Sequence, residues 1–364
     1  MFFTSDEIKE RMNEAGKARK PFLFAIDFEM TEGFFLPNPL SQQGVLFDIK
    51  GISNIHTAIG TSIPTAGAPV PTVGIARGAI QSASRPETTG VKRSEPPRDY
   101  LFEADPEDYN RYRQRFSIVM DGLKRGDSYL TNLTIKTPIQ CSLSLEEIFR
   151  FSRAPYKLYL PGRWVCFSPE GFVRLKNGKI STFPMKGTID ARLPNAREII
   201  LNDPKESAEH NTIVDLLRND LSRVASDVRV VRFRYTDELE TNRGSLLQVS
   251  SEIEGNLPDG YLDQLGSLFF ELLPAGSVSG APKESTQRII REAEAGPRGF
   301  YTGVAGYFDG EALEAFVLIR FIEQQGPELY FRSGGGITAN SDCRKEYDEA
   351  VNKVYLACFW KPFV

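Results

Sequence analysis

The sequence predicts an α+β fold with large, mostly antiparallel sheets flanked by helices. Short runs rich in β-branched and aromatic residues come in groups bounded by turn residues, and amphipathic helical segments stand between the groups. Asn177–Gly178 joins two such runs, and Asn-Gly is the strongest short signal for a two-residue antiparallel hairpin. A length of 364 residues allows one large domain or two ordinary ones.

The elements follow from periodicity and from their start and stop signals. The predicted strands are 22–26, 45–49, 129–136, 164–168, 172–175, 180–183, 302–308, 315–321 and 329–333. The predicted helices are 106–124, 204–225, 262–272, 282–295 and 344–359. Residues 54–97 are rich in Ala, Thr, Pro, Gly and Ser without periodicity, which predicts a long loop or a loosely ordered insertion.

Composition excludes several classes of function. A formal net charge of −4 gives no basic field for nucleic acid or for an anionic membrane, and no apolar run is long enough to span a bilayer. Cys141, Cys166, Cys343 and Cys358 have neither metal-site nor disulfide spacing, which is typical of a reducing cytoplasm. With two histidines in the chain, a His-rich zinc site is nearly excluded.

Lys186 and Glu170 are the first candidate pair. If Lys176 pairs with Lys179 across the Asn-Gly turn, the register places Glu170 opposite Met185, so Glu170 and Lys186 reach the same open end of the hairpin. A lysine nucleophile beside a carboxylic acid is one interpretation. The alternative is a surface ion pair, which is commoner and which the local pattern alone favours.

Two helices carry carboxylates one turn apart. Glu206 occupies the N3 position of a capping box begun by Asp203, whereas Glu209 lies on the inward face of the same helix. Glu346 and Glu349 repeat the spacing on the last helix. Two converging acidic patches predict a site for a hard cation, with Mg²⁺ as the natural candidate. Glu349 has an equally good alternative as an ion-pair partner four residues from a lysine.

Two glycine-rich runs are candidate anion contacts. Residues 275–283 precede a helix and expose backbone N–H groups at its N-terminus. Gly334, Gly335 and Gly336 follow a predicted strand and allow a ligand to approach the backbone closely. Neither run matches a P-loop or a dinucleotide fingerprint, and each taken singly is more often a turn.

In this order, the motifs resemble those of the chorismate-utilising enzymes, a family of anthranilate, aminodeoxychorismate, isochorismate and salicylate synthases. The matching stretches are Ser-Pro-Glu at 168–170, Met-Lys-Gly-Thr at 185–188, Ala-Glu-His at 208–210, Ile-Val-Asp-Leu-Leu-Arg-Asn-Asp-Leu at 213–221, Gly-Ser-Val-Ser-Gly-Ala-Pro-Lys at 276–283, Tyr-Thr-Gly at 301–303, Ile-Arg at 319–320, Gly-Gly-Gly-Ile at 334–337, Ser-Asp at 341–342 and Glu-Tyr at 346–347. The resemblance implies a chorismate-binding catalytic domain at 101–364, preceded by a shortened, divergent N-terminal segment at 1–100.

The resemblance further implies a reaction. Lys186 corresponds to the lysine of aminodeoxychorismate synthases, where anthranilate synthases carry alanine. It would attack C2 of chorismate while Glu170, as general acid, protonates the departing C4 hydroxyl, and ammonia would then displace the lysine. That chemistry requires a lowered pKa for Lys186, which burial and nearby Mg²⁺ would supply, and a raised pKa for Glu170.

Further site residues are implied only by the resemblance. Glu209 and Glu346 would bind Mg²⁺, supported by Glu206 and Glu349. The expected substrate contacts are Gly187, Thr188, Gln248, Ser279, Gly280, Tyr301, Arg320, Gly334, Gly335, Gly336 and Lys353, of which Tyr301 and Arg320 match contacts to the pyruvyl carboxylate. Ammonia would come from solution or from a separate glutamine amidotransferase subunit.

Two positions separate the alternatives. The water-activating lysine of isochorismate and salicylate synthases aligns with Leu130, which cannot activate water. Gln248 replaces a histidine that the family usually has, and glutamine carries no proton charge near neutral pH. The remaining alternatives to aminodeoxychorismate synthase are an anthranilate synthase component I, an isochorismate-type enzyme and a non-catalytic chorismate-binding subunit.

Overall fold

The computed structural model describes residues 2–55, 100–241 and 244–356. The predicted loop at 54–97 falls almost entirely outside these residues. So do Cys358 and the last part of the predicted C-terminal helix.

The described residues form nineteen strands and nine α-helices. The strands are β1 (Phe2–Thr4), β2 (Phe22–Ile26), β3 (Glu32–Pro37), β4 (Leu46–Ile49), β5 (Ile52–Ser53), β6 (Phe102–Ala104), β7 (Leu130–Cys141), β8 (Tyr156–Leu160), β9 (Trp164–Ser168), β10 (Gly171–Lys176), β11 (Lys179–Thr182), β12 (Met185–Asp190), β13 (Ser226–Thr241), β14 (Gly244–Asn256), β15 (Gly280–Ala281), β16 (Val304–Phe308), β17 (Leu313–Val317), β18 (Phe321–Gln325) and β19 (Glu328–Ile337). The helices are α1 (Ser5–Lys17), α2 (Tyr109–Lys124), α3 (Leu145–Phe151), α4 (Ala196–Asn202), α5 (Pro204–Leu221), α6 (Leu265–Glu271), α7 (Gly276–Ser279), α8 (Lys283–Glu294) and α9 (Cys343–Asn352), and short 3-10 helices lie at Pro39–Ser41 and Tyr261–Gln264.

The strands form two sheets in which every described pairing is antiparallel, which confirms the predicted fold class. The first sheet runs β1-β3-β2-β16-β17-β10-β11-β14, and β14 also pairs with β12 and β13. The second sheet runs β15-β7-β19-β18-β9-β8-β4-β5, and β6 is added to β7. The segment at 2–53 therefore contributes strands to both sheets, and each sheet also contains strands from beyond residue 100.

The sheets pack face to face, and helices cover their outer faces. In β2, Phe22 and Phe24 belong to the core under α1, α5 and α6, whereas Leu23 and Ala25 belong to the core between the sheets. Both faces of the strand are buried, so it reads as an unbroken apolar run instead of an alternating one. Two further hydrophobic clusters lie on the outer face of the second sheet. One is under α3, and the other is under α2, α8 and α9.

The hairpin register is confirmed, since Lys176 pairs with Lys179. The placement of Glu170 opposite Met185 is wrong. The last pair of the ladder between β10 and β11 is Arg174 with Ser181, and Met185 pairs with Ser250 of β14. Pro184 has no N–H for a ladder and its carbonyl accepts from Ser251 N at 3.0 Å, so the chain leaves the hairpin at this residue.

Several predicted boundaries also change. Strand β7 continues five residues beyond the predicted end, and α9 ends at Asn352, well before residue 359. Helix α5 ends at Leu221 instead of residue 225. The long hairpin of β13 and β14 was not predicted, because three register shifts interrupt its alternation. Within the part of the chain that the structure describes, no helix combines the length and apolarity needed to cross a bilayer.

Candidate active site

A cavity of about 240 Å³ lies where β10, β12, α5 and the end of β19 meet. Nine of the predicted site residues line it: Glu170, Lys186, Glu209, Tyr301, Arg320, Gly334, Gly335, Gly336 and Lys353. Glu170 and Lys186 reach one cavity although their strands are not paired with each other. The predicted meeting of these two residues is therefore present, but α5 and β14 produce it instead of the hairpin ladder.

Lys186 is half-buried and forms an ion pair on the wall of the cavity. Its Nζ lies 2.8 Å from Oε2 of Glu209, whose other oxygen lies 3.7 Å from Nζ of Lys205. Burial lowers the pKa of Lys186, but the hydrogen bond to Glu209 and the charges of Glu209, Glu349 and Glu206 outweigh burial and raise it. The expectation of a lowered pKa included Mg²⁺ and stays a prediction for the Mg²⁺-bound protein, whereas the carboxylates of the chain act in the opposite direction.

Glu170 is positioned by its backbone and by one serine. Its N–H donates to Oγ of Ser168 at 3.1 Å, and its carbonyl accepts from Val317 N at 3.1 Å. Ser277 donates through Oγ to Oε1 of the carboxyl group at 2.6 Å. Burial raises the pKa of Glu170 above its usual value, although the Ser277 hydrogen bond works against the rise. The expected direction is confirmed, and it suits a group that must hold a proton.

The N-terminal end of α5 points its acidic residues toward Lys186. Asp203 caps the helix by accepting from Glu206 N at 2.9 Å, but Glu206 does not return a bond to Asp203. The predicted capping box is therefore only half formed, and the Glu206 carboxylate is left to face Gly187, whose Cβ would lie 2.9 Å from it. Burial and the charge of Glu209 raise the pKa of Glu206, because two like charges share one helical turn.

The last helix places a second acidic pair beside Gly335, which lines the cavity. Where Gly335 would carry a Cβ, Oε2 of Glu346 and Oε1 of Glu349 lie 3.6 and 3.7 Å away. Burial raises the pKa of Glu346, and the charge of Glu349 adds to the rise. The predicted ion pair of Glu349 with a lysine four residues later is also formed, since its Oε1 lies 2.7 Å from Nζ of Lys353.

The four glutamates offer the oxygen donors that a hard cation prefers, yet they do not form a closed set of ligands. Across 2–55, 100–241 and 244–356, no three Asp, Glu, His or Cys side chains are grouped closely enough to hold a metal ion. Lysine ammonium groups now lie against Glu209 and Glu349. The charges of Glu209, Glu349 and Glu206 all act on Lys186. Carboxylate oxygens are the donor type that Mg²⁺ prefers, but in the described arrangement lysine ammonium groups supply the positive charge beside them.

Alternate glycines of β19 present free backbone amides to the cavity. The ladder with β18 ends at Arg332, so the edge of β19 beyond that residue is uncovered among the described residues. Thr134 pairs with Gly334. Its N–H donates to Glu294 and its carbonyl accepts from Arg115, so both backbone groups of Thr134 face away from β19. In an antiparallel ladder, Gly334 and Gly336 must then also point outward, away from β7. Lys353 Nζ donates to the Gly334 carbonyl at 2.9 Å. The N–H groups of Gly334 and Gly336 therefore remain available for an anion.

Tyr301 and Arg320 lie on the wall formed by the ends of β16 and β18. Burial raises the pKa of Tyr301 to about 12, so its hydroxyl remains a hydrogen-bond donor at neutral pH. Arg320 has a φ of 53°, which is uncommon for a residue other than glycine. Its guanidinium lies 5.6 Å from the ring of Tyr355, and no carboxylate of the described residues is within ion-pair distance of it. An uncommitted guanidinium in a cavity is suited to a carboxylate ligand.

Eight predicted site residues do not line the cavity; these are Gly187, Thr188, Glu206, Gln248, Ser279, Gly280, Glu346 and Glu349. The three glutamates act on it through their charges, as above. Ser279 is fully buried and donates its hydroxyl to the Ala275 carbonyl at 2.9 Å, so it has no donor left for a ligand. A Cβ on Gly280 would lie 1.8 Å from the Leu130 carbonyl, so this glycine serves the pairing of β15 with β7. Gln248 pairs with exposed Thr188 in the ladder of β14 and β12.

Ser277 was missed, although it stands two residues before Ser279 in the same run. Helix α7 is a single turn, so residues two apart point in nearly opposite directions. The sequence offered no way to tell which serine faces the cavity. Asn132 and Leu130 also line it from β7, and Leu130 occupies the wall where the resemblance places a water-activating lysine.

Comparison with known proteins agrees with this geometry. The family model described as chorismate binding enzyme matches residues 75–357. An uncharacterized PabA-like protein of Haemophilus influenzae is 44% identical over 97% of both chains. Aminodeoxychorismate synthase component 1 of Bacillus subtilis is 33% identical over 66% of this chain and 54% of its own length. The structure of anthranilate synthase component I from Streptococcus pneumoniae superposes with a TM-score of 0.59 and 27% identity, over 69% of this chain and 58% of that one. The chain belongs to the family of chorismate binding enzymes.

Proposed function

We propose that the protein is an aminodeoxychorismate synthase component I, which converts chorismate and ammonia to 4-amino-4-deoxychorismate through a covalent intermediate on Lys186. One observation carries the proposal: an amine on β12 and a carboxyl group before β10 open into the same cavity. Similarity to the Bacillus subtilis synthase supports it, but the similarity to an anthranilate synthase structure is of comparable level. The choice between them therefore depends on Lys186.

In the first step, the neutral amine of Lys186 forms a bond to C2 of chorismate as the ring double bond shifts and the C4 oxygen leaves. Glu170 gives its proton to that oxygen, which departs as water. Only the neutral amine is a nucleophile, so Lys186 must lose its proton before this step. A raised pKa for Glu170 supports the role of acid at neutral pH.

In the second step, ammonia forms a bond to C4, the double bond shifts back, and the C2–N bond to Lys186 breaks. The lysine leaves as an amine, and the excess proton of the added ammonia returns to Glu170. Chorismate has then exchanged its C4 hydroxyl for an amino group, with water as the second product. Leu130 supports amination over hydration, because an apolar side chain on that wall cannot activate water.

Substrate orientation would come from two ends of the cavity. Arg320 and the Tyr301 hydroxyl are the proposed contacts of the pyruvyl carboxylate, because a guanidinium and a phenol both donate to a carboxylate. The N–H groups of Gly334 and Gly336 are the proposed contacts of the ring carboxylate. With both carboxylates held, the reacting carbons lie between Lys186 and Glu170.

Mg²⁺ is proposed as the cofactor, with Glu209 and Glu346 as its principal ligands and Glu206 and Glu349 in support. When bound, it would supply positive charge for a dianionic substrate in an acidic cavity. The chain's own part is to release carboxylate oxygens from Lys186 and Lys353, with which they are now paired. Loss of the Glu209 hydrogen bond removes one cause of the raised pKa of Lys186 and favours the neutral amine.

Ammonia is proposed to come from a separate glutamine amidotransferase subunit, and the complex is proposed to act in the cytoplasm. Similarity to a PabA-like protein and to an aminodeoxychorismate synthase component 1 supports an assembly of the aminodeoxychorismate type. Free ammonium at high concentration should replace the partner in the assay, since the second step needs only ammonia.

The proposal is tested by incubating the purified chain with chorismate, Mg²⁺ and ammonium and identifying the products by mass. Aminodeoxychorismate is the expected product. Anthranilate with pyruvate would assign the chain to the anthranilate synthases, and isochorismate would assign it to the hydrating members. No turnover with or without an amidotransferase subunit would leave a non-catalytic subunit as the correct interpretation.

A further inference from the structure

A second cavity, of about 500 Å³, lies beyond the active-site cavity along β7 and β19. Its wall combines five cations with three carboxylates. The cations are Arg111, Arg115, Lys136, Arg298 and Arg332. The carboxylates are Glu107, Glu294 and Glu323. The described lining therefore carries an excess of two positive charges in a chain whose overall formal charge is −4. An excess of this sign favours an anionic occupant.

The carboxylates do not neutralise the cations one for one. Glu107 is shared between Arg115 and Arg111, which lies 3.6 Å away. Glu323 is shared between Arg332 and Lys136, at 3.1 and 3.4 Å. Each of these acidic groups therefore balances only one of its two neighbours.

Donors are also left over. Arg332 is 6% exposed and gives Nη1 to Glu323, but no described group accepts from its Nε. Arg115 gives Nη1 to the Thr134 carbonyl at 2.8 Å, and its buried Nε has no described acceptor either. Buried guanidinium donors without acceptors are costly, and here they leave the hydrogen-bonding capacity of both arginines beside the cavity incompletely used by the described residues.

Arg298, by contrast, has a described acceptor for each nitrogen of its guanidinium group. It donates to both oxygens of Glu294 and to the carbonyls of Val278 and Asn132, and it is 1% exposed. Arg298 is therefore held firmly in the wall, whereas Arg332 and Arg115 each keep a hydrogen-bond donor that no described group accepts. Because the guanidinium fork matches two oxygens of one group, an acceptor for these donors should be a carboxylate or a phosphate.

We propose that this cavity is a second ligand site, which binds a small dianion carrying phosphate or paired carboxylate groups between Arg332, Lys136 and Arg115. The site is separated from the active-site cavity by a single layer of side chains. Arg332 lies 5.2 Å from the ring centre of Tyr301, and Tyr301 lines the active-site cavity. The proposal does not depend on which reaction the active site performs.

The test is calorimetric titration at constant ionic strength with inorganic phosphate and, separately, with malonate. We expect saturable binding at one site by at least one probe, and the probe that binds identifies the chemistry. Arg332→Gln should weaken binding about tenfold or more, because it removes a charged donor. Lys136→Gln, at a half-exposed position, should weaken it as well and gives a second measurement if Arg332→Gln does not fold.

Two controls separate this site from other cationic positions. Arg320→Gln removes the uncommitted guanidinium of the active-site cavity, and Arg125→Gln removes an exposed arginine paired with Asp127 outside both cavities. Binding should survive both changes. The proposal is overturned if neither probe binds saturably, or if Arg320→Gln abolishes binding while Arg332→Gln and Lys136→Gln leave it unchanged.

Discussion

Helix α5 lies beside a lysine–carboxylate pair at each of its ends. Near its N-terminus, Lys186 Nζ lies 2.8 Å from Glu209. Near its C-terminus, Lys283 Nζ lies 3.0 Å from Asp220. The pairs look alike in a list of ion pairs, but their surroundings differ. Lys186 opens into a cavity beside Glu170, whereas Lys283 gives a further hydrogen bond to the Leu272 carbonyl at 2.6 Å and lines no described cavity.

The pKa values of the two lysines move in opposite directions. For Lys283, burial is the largest cause and lowers the pKa, because Asp220 only partly compensates. For Lys186, burial is again the largest single cause, but several carboxylates together raise the pKa. A depressed pKa is often taken as the mark of a reactive lysine. Here the depressed lysine is structural, and access to a cavity distinguishes the candidate nucleophile.

Replacing Lys186 should have the largest effect on activity. Lys186→Ala should lower kcat at least roughly a thousandfold, because it removes a nucleophile that the other residues cannot replace. The melting temperature should change little, since the side chain is half-exposed and Lys205 remains near Glu209. Steady-state kinetics with ammonium and a thermal melt measure the two effects. Full activity in this variant would mean that ammonia attacks chorismate directly.

Replacing Glu170 should have the second largest effect on activity. Glu170→Gln keeps the shape and the contact with Ser277 but cannot give a proton, so kcat should fall by roughly 10²–10⁴. KM for chorismate should change much less. A change confined to KM would make Glu170 a binding residue and remove the acid from the mechanism.

Lys283→Ala should do the opposite of Lys186→Ala: it should lower stability strongly and leave the catalytic rate nearly unchanged. It leaves Asp220 buried without its cation, which should cost about 3–5 kcal/mol of unfolding free energy. The fraction that remains folded at low temperature should turn over chorismate at close to the wild-type rate. Denaturant unfolding and kinetics at low temperature make the comparison. Equal losses of activity in Lys283→Ala and Lys186→Ala would erase the distinction between the two ends of α5.

Glu206→Gln should lower the pKa of Lys186, because the charge of Glu206 is one of the causes of its raised value. Only the neutral amine reacts with an acylating reagent, so the pH dependence of Lys186 labelling, followed by peptide mass spectrometry, should shift to lower pH. Lys205→Gln is a matched control with the opposite charge change on the same helix. It should not produce that downward shift.

Ser277→Ala should have the smallest effect. The lost hydrogen bond lowers the pKa of Glu170, so its removal should raise that pKa and move the alkaline limb of the rate profile to higher pH. We expect kcat to fall about tenfold. Ser277→Thr keeps the hydroxyl and should restore both the rate and the profile. An unchanged profile in Ser277→Ala would reduce Ser277 to a packing role.

The sequence predicted what local rules govern. The register of Lys176 with Lys179 follows from the Asn-Gly turn, and the start of α5 follows from its cap at Asp203. Helix α2 begins at Tyr109, three residues after its predicted start. Alternation and turn residues also predicted nine strands, about half of the nineteen that the structure describes. The long hairpin of β13 and β14 was missed, because its register shifts break the period on which such predictions rest.

What could not be predicted depends on contacts distant in sequence. The edge of β19 at Gly334 is uncovered within the described part of the chain because the ladder with β18 does not extend past Arg332. The Glu206 carboxylate on α5 has its position because Gly187 on β12 leaves room for it. No local pattern contains this information. Lys186 could be singled out as a candidate, but the three carboxylates that raise its pKa come from two helices that are far apart in the sequence, α5 and α9.

The most direct test of the central claim is the mass of the intact protein after incubation with chorismate and Mg²⁺ without ammonia. We predict an adduct equal to chorismate less one water, located on Lys186 by peptide mapping, absent in Lys186→Ala, and released as aminodeoxychorismate when ammonium is added. Turnover of chorismate with ammonium at the wild-type rate, with no adduct at any time and anthranilate as the product, would contradict the account.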